Sequence, residues 1–155
     1  MNPPFPGNRQ LAKETIIGVW VLISGEFCYS NGTASRPWGN KPVGQLIYTE
    51  NGYMSVQIMN PDRPFFVSKD HYKGTGEEIR KAFEGYQAYF GTYSIDEKES
   101  SITHYVIGSV FPNLTGKPIK RFYELDGSTL TLKTPPMKMG GEIVTGILVW
   151  TKLLK

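Results

Sequence analysis

Gly18-Val19-Trp20-Val21-Leu22-Ile23 lies in the first long apolar run of the chain, Ile16–Tyr29, and Ile147-Leu148-Val149-Trp150-Thr151-Lys152 lies in the last, Ile143–Leu153. Both are rich in β-branched and aromatic residues and read as strands. If the last strand hydrogen-bonds back onto the first, the sheet closes and Trp20 comes beside the cation Lys152. That contact combines a large apolar burial with a cation–π attraction of about 0.5–2 kcal/mol.

The segments between these runs carry the same signature. Gly44–Tyr48, Tyr53–Met59, Tyr89–Asp96, Ile102–Ser109, Ile119–Leu125 and Thr129–Thr134 are short strand-like stretches. Asn31-Gly32, Asn51-Gly52 and Asp126-Gly127 mark tight turns, because these pairs tolerate the positive φ that hairpin turns need. One helix is predicted near residues 76–87, against one end of the sheet. Thr75 and Glu78 form a capping box there, and Ile79, Ala82, Phe83 and Tyr86 recur at helical spacing. Residues 1–13, opening on Met-Asn-Pro-Pro-Phe-Pro-Gly, read as a loose arm, and 14–155 as one domain. The fold class that follows is all-β: a closed antiparallel barrel of eight to ten strands with one helix. A β-sandwich is the alternative, but it would leave open edges and give no role to the pairing of Trp20 with the C-terminal cation.

The chain has 155 residues, 39% hydrophobic and 20% charged, which suits one soluble globular domain. Its net charge of +3 comes without a block of basic residues, so nucleic acid is not an expected partner. The single cysteine, Cys28, excludes an internal disulfide. No apolar run approaches the ~18 residues of a membrane span, and no signal peptide is visible, so a cytosolic location is expected.

Several segments in order resemble the microbial and fungal lipocalin-like domain family. They are Gly18-Val19-Trp20, Gly44-Gln45-Leu46-Ile47-Tyr48, Gly52-Tyr53-Met54-Ser55, Asn60-Pro61-Asp62-Arg63-Pro64, Tyr89-Phe90-Gly91-Thr92-Tyr93, Ile102-Thr103-His104, Phe111-Pro112-Asn113 and Leu148-Val149-Trp150. The resemblance runs from about residue 14 to 152. It implies a small barrel that holds an apolar small molecule, with Trp20 plugging the floor under a cation from the last strand. Lipocalins usually present Arg at that cation position; Lys152 cannot stack in the same planar way. Related cup-shaped barrels in natural-product pathways act as cofactor-free cyclases, some catalysing pericyclic ring closures. That comparison is fold analogy.

Strand alternation assigns the inward faces. Lys120 and Glu124 point to water, so Arg121, Tyr123 and Leu125 point in. Tyr89, Tyr93 and Ile95 share the inner phase of their strand, and His104 shares a phase with Ile102 and Val106. Trp20 sets the inner phase of the first strand, which Leu22, Ser24 and Glu26 share in the absence of a bulge. Trp38, in the loop Arg36-Pro37-Trp38-Gly39, is placed at the rim of the mouth, with Phe65, Phe66 and the helix; residues 60–70 are a candidate lid.

The cup is therefore apolar with few polar groups. His104 and Arg121 are the candidate catalytic residues, and Tyr89, Tyr93, Tyr123, Glu26 and Trp38 the candidate ligand contacts. A buried Arg is costly unless paired. Arg121 thus either meets a carbonyl, enolate or carboxylate of a ligand or pairs with Glu26. His104 either moves a proton or is a satisfied, neutral core histidine. Two histidines and one cysteine give no zinc spacing, and neither a P-loop, a dinucleotide fingerprint nor a nucleophile elbow is present, so no metal and no cofactor are expected. The leading reading is a cofactor-independent cyclase or isomerase acting on an apolar natural product, as monomer or homodimer. The alternative is a non-catalytic small-molecule carrier or sensor.

Overall fold

The computed structural model describes residues 8–154. In chain order the elements are α1 (Asn8–Ile16), β1 (Gly18–Tyr29), β2 (Ala34–Ser35), β3 (Val43–Tyr48), β4 (Tyr53–Met59), α2 (Gly76–Glu84), β5 (Tyr86–Asp96), β6 (Ser101–Ser109), β7 (Pro118–Asp126), β8 (Thr129–Lys133), β9 (Met137–Met139) and β10 (Glu142–Lys152). A 3-10 turn spans Pro112–Leu114. Eight strands form an antiparallel circuit, β1-β3-β4-β5-β6-β7-β8-β10, and β10 pairs with β1 to close it. The short strands β2 and β9 pair with β1 and β10 alone. Closure removes the open edges that a sandwich would have had to protect.

The closing register sets Trp20 opposite Lys152 and Leu22 opposite Trp150. A bulge then intervenes between Leu22 and Ser24, and the side-chain phase of β1 inverts. Gly25 and Phe27 become the buried positions, while Ser24 is exposed and Glu26 turns to the outer face. This corrects the expectation that Ser24 and Glu26 continue the inward phase of Trp20. The other irregularity, a register shift in the β5–β6 pairing between Phe90 and Gly91, leaves the inward positions read for β5, β6, β7 and β8 unchanged. Tyr89, Ile102, His104, Val106, Tyr123, Leu130 and Leu132 are all buried.

The antiparallel circuit gives the barrel two distinct ends. The turns at 49–52, 97–100 and 127–128 lie at one end with α1, and the loops 30–42, 60–85, 110–117 and 134–141 lie at the other. The first end is the floor. Trp20 is fully buried there, and its indole Nε1 donates to the carbonyl oxygen of Ile16 at 2.8 Å. The Lys152 ammonium lies 5.4 Å from the Trp20 ring centroid and donates to the Thr15 carbonyl at 2.6 Å. The last turn of α1 thus has two of its unpaired carbonyls capped by the floor pair, with a cation at the negative end of the helix dipole. A lysine reaches this position with its single ammonium, so the family's usual planar arginine is not required. Gly18 makes the helix-to-strand turn at φ +137°, and a Cβ there would lie 3.0 Å from Lys152 Cε.

Two expectations about helices are corrected. The segment from Asn8 to Ile16, read mostly as loose arm, is helical; residues 1–7 lie outside the described residues. Gln10 to Glu14 are good helix formers, and the C-terminal carbonyls gain the partners just named. The other helix, α2, has the expected capping box, with Thr75 accepting from the Glu78 backbone and Glu78 from that of Thr75. It ends at Glu84, not near 87, because Gly85 caps it and Tyr86 already belongs to β5. No residue of α2 is buried; Ile79 and Phe83 remain about half-exposed at the mouth end. The apolar stripe is real, but it is not packed into the barrel.

Candidate functional site

Tyr48 ends β3, Tyr89 lies in β5 and His104 in β6, and all three side chains point into the barrel. The His104 ring is held between the two phenols: Nε2 lies 2.6 Å from the Tyr48 hydroxyl and Nδ1 lies 2.8 Å from the Tyr89 hydroxyl. Burial pushes the His104 pKa down to about 3, and the positive charge of Arg121 adds to the fall. The ring is therefore neutral at pH 7. Burial likewise raises both tyrosines above their ordinary value, so their hydroxyls keep their protons; Arg121 opposes the rise at each. Arg121 thus lies close enough for its charge to act on both hydroxyls.

Arg121 itself is part-buried, and its Nη1 donates to the Lys120 carbonyl at 2.9 Å. Among the described residues it has no carboxylate partner. Glu26 faces outward and pairs with Arg36 at 3.7 Å, so the structural Arg121–Glu26 pair does not form, and Glu26 is no contact for a ligand inside the barrel. The cause is the bulge in β1. Tyr93 is half-buried beside Tyr48, with ring centroids 4.7 Å apart, and its hydroxyl donates to the Thr49 carbonyl at 2.7 Å. Tyr123 is inward, but its surroundings differ: burial raises its pKa first, and the carboxylates of Glu97 and Asp96 in the β5–β6 turn raise it further. The structure thus gathers His104, Arg121, Tyr89 and Tyr93, keeps Tyr123 and Trp38 buried apart from that group, and turns Glu26 outward.

Trp38 is buried, not at the rim. Its ring lies 5.6 Å from that of Phe27, and a Cβ on Gly25 would meet it at 3.2 Å. The bare backbone of Gly25 makes room for the indole, which stops the mouth end of the barrel. Phe65 is 96% exposed, so its ring does not pack over the mouth.

An open groove of about 450 Å³ also lies at the floor, between Lys13, the 50–52 turn and Tyr93-Ser94-Ile95. Its wall is partly charged and open to water, which suits a polar ligand better than an apolar one.

Tyr48 is the residue that the sequence reading missed as a site member. Its signal was present: it shares the inner phase of Gly44 and Leu46. Its partner His104 lies three strands away around the barrel, and no pattern along one strand reveals that contact. Among the described residues no three His, Cys, Asp or Glu side chains gather in a metal-holding arrangement, and no helix is long and apolar enough to cross a membrane.

A closed eight-stranded barrel with an apolar wall, a stoppered mouth and a small polar network inside is the architecture of a small-molecule-binding cup. The chain belongs to the lipocalin-like domain family, whose model matches residues 17–153. It is 31% identical over 107 residues to the 4'-hydroxy-3'-methoxypropiophenone carrier protein ppsC of Aspergillus oryzae, an alignment that covers 64% of this chain and 96% of that protein.

Proposed function

We propose that this protein is a carrier for an apolar, oxygen-bearing small molecule of the aryl ketone class. The ligand's apolar body lies beneath Trp38 and its oxygen reaches the Tyr48–His104–Tyr89 chain. The observation that carries this reading is that buried chain. It places hydroxyl and imidazole groups in an otherwise apolar interior, with the guanidinium of Arg121, which has no carboxylate partner among the described residues, nearby. Such a set orients a neutral acceptor by hydrogen bonds. The similarity to a protein named as a carrier of a hydroxy-methoxy aryl ketone supports the same class.

His104 is poorly suited to proton transfer. Both ring nitrogens are engaged, and a pKa near 3 lies far from the neutral value that an acid–base catalyst needs. A cofactor-free cyclase that works by shape and hydrogen bonds would not need that proton, and it is the second reading. In it Arg121 and a tyrosine polarise the substrate carbonyl.

Native mass spectrometry of protein purified from its own host tests whether a small molecule is bound at all. Titration with 4'-hydroxy-3'-methoxypropiophenone, followed by tryptophan fluorescence, tests the class, because Trp38 must move for the ligand to enter. Arg121→Met should weaken binding several-fold with little change in stability, since no carboxylate is left unpaired. Release of the bound molecule unchanged supports the carrier; its conversion to a cyclised or isomerised product supports the enzyme. An empty barrel and no fluorescence response would refute both.

A further inference from the structure

Trp150 projects into the barrel from β10, opposite Leu22 of β1 and Leu130 of β8. It is 1% exposed, yet among the described residues its indole Nε1 has no hydrogen-bond partner. The other floor-side tryptophan is different: Trp20 donates to Ile16 at 2.8 Å. A buried donor without an acceptor costs about 1–3 kcal/mol, and such groups are rare in folded proteins.

A second donor is left over in the barrel interior. A neutral imidazole has one N–H and one acceptor nitrogen. Between Tyr48 and Tyr89, one hydroxyl must therefore donate to the ring and the other must accept from it. Whichever tautomer forms, one tyrosine hydrogen remains outside the chain. Arg121 contributes donors only. The interior thus presents several N–H and O–H hydrogens to any molecule that enters it.

We propose that the Trp150 indole N–H is a ligand contact: it donates to an oxygen of the molecule held in the barrel and selects for ligands that carry a carbonyl or ether acceptor. This inference rests on the reading of the barrel as a binding cup and adds the polarity of its cargo. Hydrocarbons leave the indole unpaired, and ligands that offer only a donor meet a second donor there. An oxygen acceptor satisfies a donor that has no partner among the described residues.

The test uses two probes of similar shape, propiophenone and propylbenzene, which differ by the acceptor. The ratio of their affinities is compared between the native chain and Trp150→Phe. One neutral hydrogen bond corresponds to about tenfold in affinity, so the ratio should fall about tenfold in the variant, through loss of ketone binding. In ¹⁵N-labelled native protein, the indole resonance, assigned through its neighbours Leu22 and Leu130, should move downfield with propiophenone and stay near its free position with propylbenzene. The resonance decides the matter if Trp150→Phe does not fold. An unchanged ratio, or an indole resonance indifferent to the ketone while both probes bind, overturns the role of Trp150 and leaves the carrier reading standing. If neither probe binds, the carrier reading for this ligand class fails and the inference with it.

Discussion

Acid should unfold this protein in a way that tracks one histidine. His104 is 1% exposed and its pKa is pushed down to about 3, whereas an unfolded histidine titrates near 6.5. Because the folded value is depressed, the unfolded chain binds more protons between the two values. Stability relative to pH 7 is therefore lost as pH falls from about 6.5 toward 3, and the loss levels off below that. Each pH unit inside the window is worth up to about 1.4 kcal/mol per proton, so going from pH 7 to pH 4 removes about 3 kcal/mol through this group. That is a large share of the ~5–15 kcal/mol that holds a typical domain together. Urea denaturation at intervals from pH 7 to pH 4, on the native chain and on His104→Gln, isolates the effect, since every other titratable group is common to both and cancels. The native chain should lose about 3 kcal/mol more than the variant. An NMR titration of the His104 ring should show it neutral down to pH 4. Parallel stability curves, or a ring that protonates near pH 6, would refute the picture of a neutral imidazole locked between two phenols.

Two further substitutions probe the frame around the site. Trp20→Ala should cost about 3–5 kcal/mol in urea denaturation, the range for truncating a large buried aromatic. It should also lower the helical signal in circular dichroism, because Trp20 and Lys152 cap α1; a loss below about 1 kcal/mol would show that the floor does not depend on this ring. Gly91→Ala should be still less tolerated: a Cβ there would lie 1.9 Å from the Tyr105 carbonyl oxygen across the β5–β6 bulge. A loss of about 3 kcal/mol or more, or insoluble protein, is expected, and a native-like melting temperature would refute the close approach.

The closure of the barrel was legible because it rests on period-two alternation and on one pair of residues. Trp20 and Lys152 were matched from opposite ends of the chain and do meet, and the inward phases of β5 to β8 follow directly from where the charges fall. The misses have physical causes. One extra residue near Ile23 inverts the face of everything after it, so Glu26 left the site; bulges carry little sequence signal. Trp38 was placed at the rim because it sits in a Pro/Gly loop, but loop composition says nothing of where a large ring finds space, and the space was made by Gly25 on another strand. The helix α1 was hidden by the Pro-rich residues before it and is stabilised by tertiary caps.

The polar interior shows why a correct list of inward residues is still short of a site. Alternation placed His104, Arg121, Tyr89 and Tyr93 on the inner face, yet it left open whether His104 was a base or a satisfied core group. The Tyr48 hydroxyl, 2.6 Å from Nε2, engages the second nitrogen and supports the reading proposed above. With both nitrogens engaged and the ring neutral, His104 holds the two phenols in place. The same contact removes the leading argument for acid–base catalysis and creates a rigid donor that a carrier can use. One cross-barrel hydrogen bond therefore shifts the balance between the two functional readings. The Tyr48 and Tyr89 hydroxyls, with Arg121 and Trp150, are consequently the groups whose substitution should alter which molecules the barrel accepts.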